Sequence, residues 1–176
     1  MFWALIEDAK AAADGDLDFM ANYLRDQLVN MSAGQAREFH YMVKIYSALA
    51  DKRGLWSAAS IIKDGCTDDG FTDFRLWLIA QGKEVFFDAL KDPDTLASLV
   101  IIENETYGKA EFCDLDWVGD TAYEALTGMS LLDEARIPEV YDRLKAELSE
   151  DVVYADGMDD WIASTKLPNL SMRYKV

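Results

Sequence analysis

LWSAASIIKDGCTDDGFTDFRLWLIAQG, residues 55–82, decides the fold. Leu76, Trp77, Leu78, Ile79 and Ala80 are consecutive apolar residues, so a helix through them has no polar side and has to be packed all round. The spacing predicts a buried central helix over 71–81. Ahead of it, Lys63 to Gly70 (KDGCTDDG) holds two glycines and three aspartates, which break the helical pattern. The aspartates are expected to supply N-cap oxygens for a helix opening near Phe71. A tight loop thus aims the central helix.

The segments before it carry helical stripes. Phe2, Leu5, Ile6, Ala9 and Ala13 predict a first helix over 2–13, stopped by Asp14-Gly15. Leu17, Met20, Leu24, Leu28 and Met31 mark a second, from about Asp16 to Asn30. Ser32 followed by Gln35 is a capping-box pattern that opens a third, running to about Lys52. Leu55 to Ile62 reads as a short fourth helix, small on one side at Ala58 and Ala59.

After Gly82, KEVFFDAL continues helically over 83–90, and Asp92-Pro93 closes it. Thr95 to Leu99 adds a turn of helix, and Leu99 to Tyr107 reads as non-helical. Further helices are expected over 115–127, ended by Gly128, and from Pro138 to about Ser149. A last short helix is expected over 158–164, followed by a tail, LPNLSMRYKV, with Trp161 packing back on the core. The sum is an all-α fold without βα alternation: one domain, 1–176, of about seven to nine helices around the buried helix 71–81.

A chain of 176 residues suits one well-buried core, and 51% apolar content excludes wholesale disorder. The opening MFWALIEDAK has no basic start and reaches Glu7 and Asp8 before any leader-length apolar run. No run approaches the ~18 apolar residues that span a bilayer. A cytoplasmic protein is expected. Cys66 and Cys113 lack metal-ligand spacing and are expected to be reduced thiols.

Charge is the strongest compositional signal. Seventeen Lys and Arg stand against 33 Asp and Glu, a formal net charge of −16. It is uneven: residues 1–90 hold 9 basic and 14 acidic side chains, residues 91–176 hold 8 and 19. A field of that sign repels nucleic acid and anionic membrane and attracts basic partners. Solubility alone is the plainer reading of the same charge.

Leu55-Trp56 with Ala58-Ala59, Gly65-Cys66-Thr67-Asp68-Asp69-Gly70-Phe71, Phe74-Arg75, Trp77-Leu78-Ile79, Gly82 and Asp92-Pro93-Asp94 with Leu96 together resemble a bacterial domain family of unknown function. That family also occurs attached to WGR domains in proteins labelled molybdate-metabolism regulators. The similarity covers about Leu55 to Ala97 and, more weakly, the opening Phe2-Trp3 helix. The family's pattern has Ser where this chain has Thr67, which keeps the hydroxyl. The resemblance implies a helical fold, with residues 1–100 as the family-like core and 101–176 as a more acidic, divergent part.

Four constellations could carry chemistry. Asp68, Asp69 and Arg75 are expected to form an N-cap and an ion pair locking the loop to the central helix, or alternatively, with Cys66, a small-ligand site in the 64–75 loop. An EF-hand is rejected, because its position-six glycine and position-twelve acid would be Asp69 and Arg75. Cys66 and His40 form the one possible Cys/His pair, but acids surround the thiol and disfavour thiolate. Asp114 with Asp116, or Asp156 with Asp159 and Asp160, could hold Mg²⁺, a weak pattern in so acidic a chain. No phosphate loop, GxSxG or HExxH occurs, so no catalytic residue, metal or cofactor is assigned.

The last constellation is a surface. Glu103 to Glu124 holds seven acids against Lys109 alone, with Tyr107, Phe112, Trp117 and Tyr123 interleaved. Asp116, Asp120 and Glu124 stack at i, i+4 and i+8, each like-charge pair costing an isolated helix roughly 0.2–0.5 kcal/mol. Glu147, Glu150 and Asp151 crowd the negative end of the Pro138 helix. A basic partner would relieve both. The expected function is therefore a non-enzymatic protein-binding protein, most concretely an immunity-type inhibitor that occludes a basic bacterial toxin. Glu111, Asp114, Asp116, Trp117, Asp120 and Glu124 are its expected contact set. The other readings are a regulatory or small-ligand module using the 64–75 loop, and a carboxylate-metal hydrolase.

Overall fold

Helix α5 (Asp68–Ala80) runs through the middle of the chain's packing, as its unbroken apolar run requires. Phe74, Leu78 and Ile79 have no exposed surface. Around it lie α1 (Phe2–Ala13), α3 (Ala33–Leu49), α4 (Arg53–Lys63), α6 (Lys83–Lys91) and α7 (Leu115–Thr127), all packed against it. The structure is a computed structural model describing residues 1–101, 103–104, 108–131, 138–149, 152–157 and 167–175. Among these residues the protein is all-α, with nine α-helices, one 3₁₀ helix and a two-residue antiparallel pairing of Glu103–Asn104 with Gly108–Lys109. The remaining helices are α2 (Leu17–Val29), η1 (Pro93–Ser98), α8 (Pro138–Ser149) and α9 (Pro168–Tyr174).

Local chemistry fixes several ends. Ser32 accepts from the Gln35 amide while the Gln35 side chain accepts from the Ser32 amide, a complete capping box that starts α3. Asp16 caps α2 through the Phe19 amide. Gly128, at φ 74°, ends α7 in the left-handed conformation. Helix α3 stops at Leu49, three residues short of the expected end.

The start of α5 corrects the expectation drawn from its aspartates. Thr67 is the N-cap, its hydroxyl accepting from the Gly70 amide at 3.1 Å, and the helix opens at Asp68. Asp68 and Asp69 are exposed in its first turn, where they favour the positive end of the helix dipole. A hydroxyl at position 67 is what the cap needs, and Ser supplies it as well as Thr.

An aromatic layer joins the opening helix to the centre. Phe2 meets Phe39 and Tyr46 with ring centroids at 5.0 and 5.2 Å, Trp3 meets Tyr46 at 4.7 Å, and Trp3 Nε1 donates to Tyr46 Oη at 3.1 Å. The stretch expected to be a tail contains α9, with Leu167 and Leu170 fully buried against η1 and α4. The expected helix over 158–164 and the packing of Trp161 fall outside the described residues.

Candidate functional site

Helix α7 is amphipathic. Leu115, Val118, Gly119 and Ala122 face inward, and the helix packs on α3 and α2. Asp114, Trp117, Thr121 and Glu124, spaced along one stripe, are exposed, and Trp117 keeps 47% of its surface in solvent. Phe112 and Tyr123 turn inward instead, at 0% and 6% exposure. Of the aromatics interleaved with the acids, Trp117 alone among the described residues is an outward anchor.

The acids expected on this surface divide by what they touch. Asp116 accepts from Lys44 Nζ at 2.7 Å, and that ammonium also lies 6.0 Å from the centre of the Trp117 ring. Asp120 is 5% exposed and belongs to no surface. Its carboxylate accepts from the Leu131 amide at 2.6 Å and from Ser130 Oγ at 3.1 and 3.2 Å, tying the chain after α7 back onto the helix. The stack of Asp116, Asp120 and Glu124 is therefore offset inside the molecule, by Lys44 and by two donors, and needs no partner to explain it. Glu111 pairs with Lys63, whose ammonium also donates to the Gly70 carbonyl at 3.0 Å, so it locks the approach to α7 onto the start of α5. Asp114, which accepts from Cys113 Sγ at 3.7 Å, and Glu124 lie exposed on the same face as Trp117.

Helix α8 resolves its crowding in part: Arg143 Nε stands 3.9 Å from Glu147 on an exposed face. Glu150 and Asp151 lie outside the described residues, as do Tyr107, Asp159 and Asp160.

The 64–75 loop holds itself together. Arg75 does not pair with Asp68 or Asp69. Its Nη1 donates to the Ser47 carbonyl at 3.1 Å and stands 3.4 Å from Asp51, its Nη2 donates to Thr72 at 3.0 Å, and the guanidinium lies 5.0 Å from the Phe71 ring centre. It thereby fastens α5 to the end of α3. Burial pushes the Cys66 thiol up, Glu111 adds to that and Lys63 opposes it. Burial and then Asp114 push Cys113 up as well. Neither is a ready thiolate at neutral pH. Asp73 is likewise pushed up by burial and by Glu111.

His40 sits 5% exposed on α3 beneath α7, and its Nδ1 has no hydrogen-bond partner among the described residues. Burial, and then Lys44, push its pKa down, with Asp116 and Asp120 opposing. A histidine kept neutral in the fold binds fewer protons than in the unfolded chain, so stability rises with pH across that interval. We expect the unfolding midpoint to fall as pH drops below about 6.5, and His40→Gln to flatten that part of the profile. Thermal melts between pH 7.5 and 5 check it, and an unchanged slope in the variant would refute it.

A separate groove of about 860 Å³ runs between α1 and α6, floored by Trp3, Tyr46 and Phe87 and rimmed by Glu7, Lys83 and Asp88. Its size falls within the range of small-ligand sites. Sequence periodicity could not show it, because its floor residues come from three helices. No group of three metal-ligating side chains occurs among the described residues, and no helix among them is long and apolar enough to cross a membrane.

The profile of a protein family of unknown function, DUF4240, matches residues 1–125, which is α1 through all but the last two residues of α7. The match is wider than the 55–97 stretch that carries the resemblance and takes in the acidic stripe. No curated protein and no solved structure matches the chain.

Proposed function

The chain belongs to the DUF4240 family, and we propose that it is a non-enzymatic protein-binding protein that engages a basic partner through the outer stripe of α7. One observation carries this reading: Trp117 stays half exposed between Asp114 and Glu124, whereas Phe112 and Tyr123, the other described aromatics of this stretch, are buried. A large aromatic ring left in water beside carboxylates gives a partner's cation a stacking face and a charge partner together. The more specific form is a cytoplasmic immunity-type inhibitor that occludes a basic toxin, with the net charge of −16 speeding capture.

The test is a pull-down with the tagged chain at low and high salt, with identification of what is retained. Trp117→Ala is expected to weaken capture about 30-fold, near 2 kcal/mol in the hot-spot range, with stability changed by less than about 0.5 kcal/mol. Glu124→Lys acts mainly on the association rate and on its salt dependence. Asp120→Ala, by contrast, leaves the buried Leu131 amide without its acceptor and damages folding rather than binding. Capture indifferent to salt and to Trp117→Ala would sink the reading.

The α1–α6 groove supports a second reading, a small-ligand regulatory module, with the site in the groove rather than in the self-bonded 64–75 loop. An attached WGR domain in relatives, as the resemblance implies, would favour it.

A further inference from the structure

Asp94 is 6% exposed, and the segment that carries it does not satisfy its carboxylate. Oδ2 accepts from the Asn169 amide at 3.0 Å and from Asn169 Nδ2 at 2.7 Å, and Oδ1 accepts from the Leu170 amide at 2.8 Å. All three donors belong to α9, 75 or 76 residues further along the chain. Around this polar centre the contact is apolar: Leu96 is 1% exposed and Leu167 and Leu170 are fully buried. Arg173 closes the far end by donating to the Ala97 carbonyl. A carboxylate buried at such a site is costly unless donors reach it, and among the described residues α9 brings them. The family match ends at residue 125, so it includes the carboxylate and excludes the helix that satisfies it.

We propose that Asp94, Leu96 and Ala97, with the adjoining face of α4, form a recognition surface for a short helix that opens Leu-Pro-Asn-Leu, and that α9 is its tethered ligand. The carboxylate reads two backbone amides and an asparagine side chain, and the flanking leucines fill the apolar seat. A free partner carrying the same pattern has to displace α9, which belongs to the same chain and so competes intramolecularly. The site is therefore closed in cis.

The 176-residue chain tests this with one substitution. Leu170→Asp sets a carboxylate against Asp94 and the apolar seat, which expels α9 and leaves the receptor side chains untouched. A fluorescein-labelled peptide of residues 167–175 is then titrated by anisotropy. Saturable binding to the Leu170→Asp chain is expected, at least tenfold tighter than to the unsubstituted chain and lost when Asp94→Asn is added. Isolated helices this short are marginal, so the titration has to extend to millimolar peptide. Far-ultraviolet circular dichroism reports whether the variant keeps its helices. A folded variant that binds no peptide overturns the proposal. So does a variant that unfolds outright, because α9 is then an inseparable part of the core. A concentration-dependent dimer of the unsubstituted chain, with α9 exchanged between copies, overturns the cis arrangement.

Discussion

Gly119→Ala is expected to lower the stability of the folded chain by about 3 kcal/mol, the upper part of the range for overpacking a well-filled interior. A Cβ at Gly119 would lie 2.6 Å from His40 Cβ, 2.8 Å from its Cα and 2.8 Å from its backbone nitrogen. The wall is main chain, so no rotamer change opens space. Helix α3 cannot retreat either, with its start held by the Ser32–Gln35 capping box and Phe39, Val43 and Tyr46 buried in the core. In an exposed helix the same change would stabilise by roughly 0.8–1 kcal/mol, because alanine is the better helix former. The reversal of sign is the diagnostic result. For a chain of this size the midpoint should fall roughly 6–12 °C. Gly34→Ala is the control: it lies exposed in the first turn of α3, with Ser32 Oγ at 3.9 Å the nearest atom to an added Cβ. It should be neutral or slightly stabilising. If Gly119→Ala behaves like Gly34→Ala in melts, the close approach of α3 and α7 is wrong.

Gly119 shows what the sequence does and does not make legible. Periodicity and local caps marked α1, α7 and α8 with their observed bounds, and the Ser32–Gln35 pattern opened α3 where it stands. Those signals need only residues within a turn of each other. Gly119 carried a local signal too, since glycine inside a helix costs stability and asks for a packing reason. Which helix it packs against has no local signature.

The candidate site was harder to read for the same reason. Asp116, Asp120 and Glu124 are equivalent in a sequence, yet one pairs with Lys44, one binds the Leu131 amide and one faces solvent. Their difference is made by partners 72 and 11 residues away. Arg75 found Ser47 and Asp51 rather than the adjacent loop acids, because α5 lies across the end of α3. The C-terminal stretch looked like a tail because its helix start is satisfied from Asp94, while Leu167 at its N-cap offers no side-chain bond. Pro168 at the first helical position was the one local sign.

Gly82→Ala is expected to cost a similar amount, about 3 kcal/mol, by a different route. Gly82 has φ 96° and ψ 169°, a conformation essentially confined to glycine that costs other residues of order 1–3 kcal/mol. It also lies under the Glu7 carboxylate, which accepts from the Lys83 amide at 2.9 Å and so caps α6 from α1. A Cβ at Gly82 would lie 2.8 Å from Glu7 Cδ and push that cap away, adding about 1 kcal/mol. Here the obstacle is a side chain that can move, so the two residues should couple. In a double-mutant cycle, Glu7→Ala with Gly82→Ala should cost about 1 kcal/mol less than the sum of the single changes, with the backbone strain as the remainder. Additive costs would show that Glu7 does not occupy the space above Gly82. The same variants also separate the two functional readings. Glu7 and Lys83 line the α1–α6 groove, whereas the α7 stripe is built from other residues. A folded Glu7→Ala chain that still captures a basic partner but loses a small ligand places ligand recognition in the groove; loss of the partner instead would move the protein interface from Trp117 to α1 and α6.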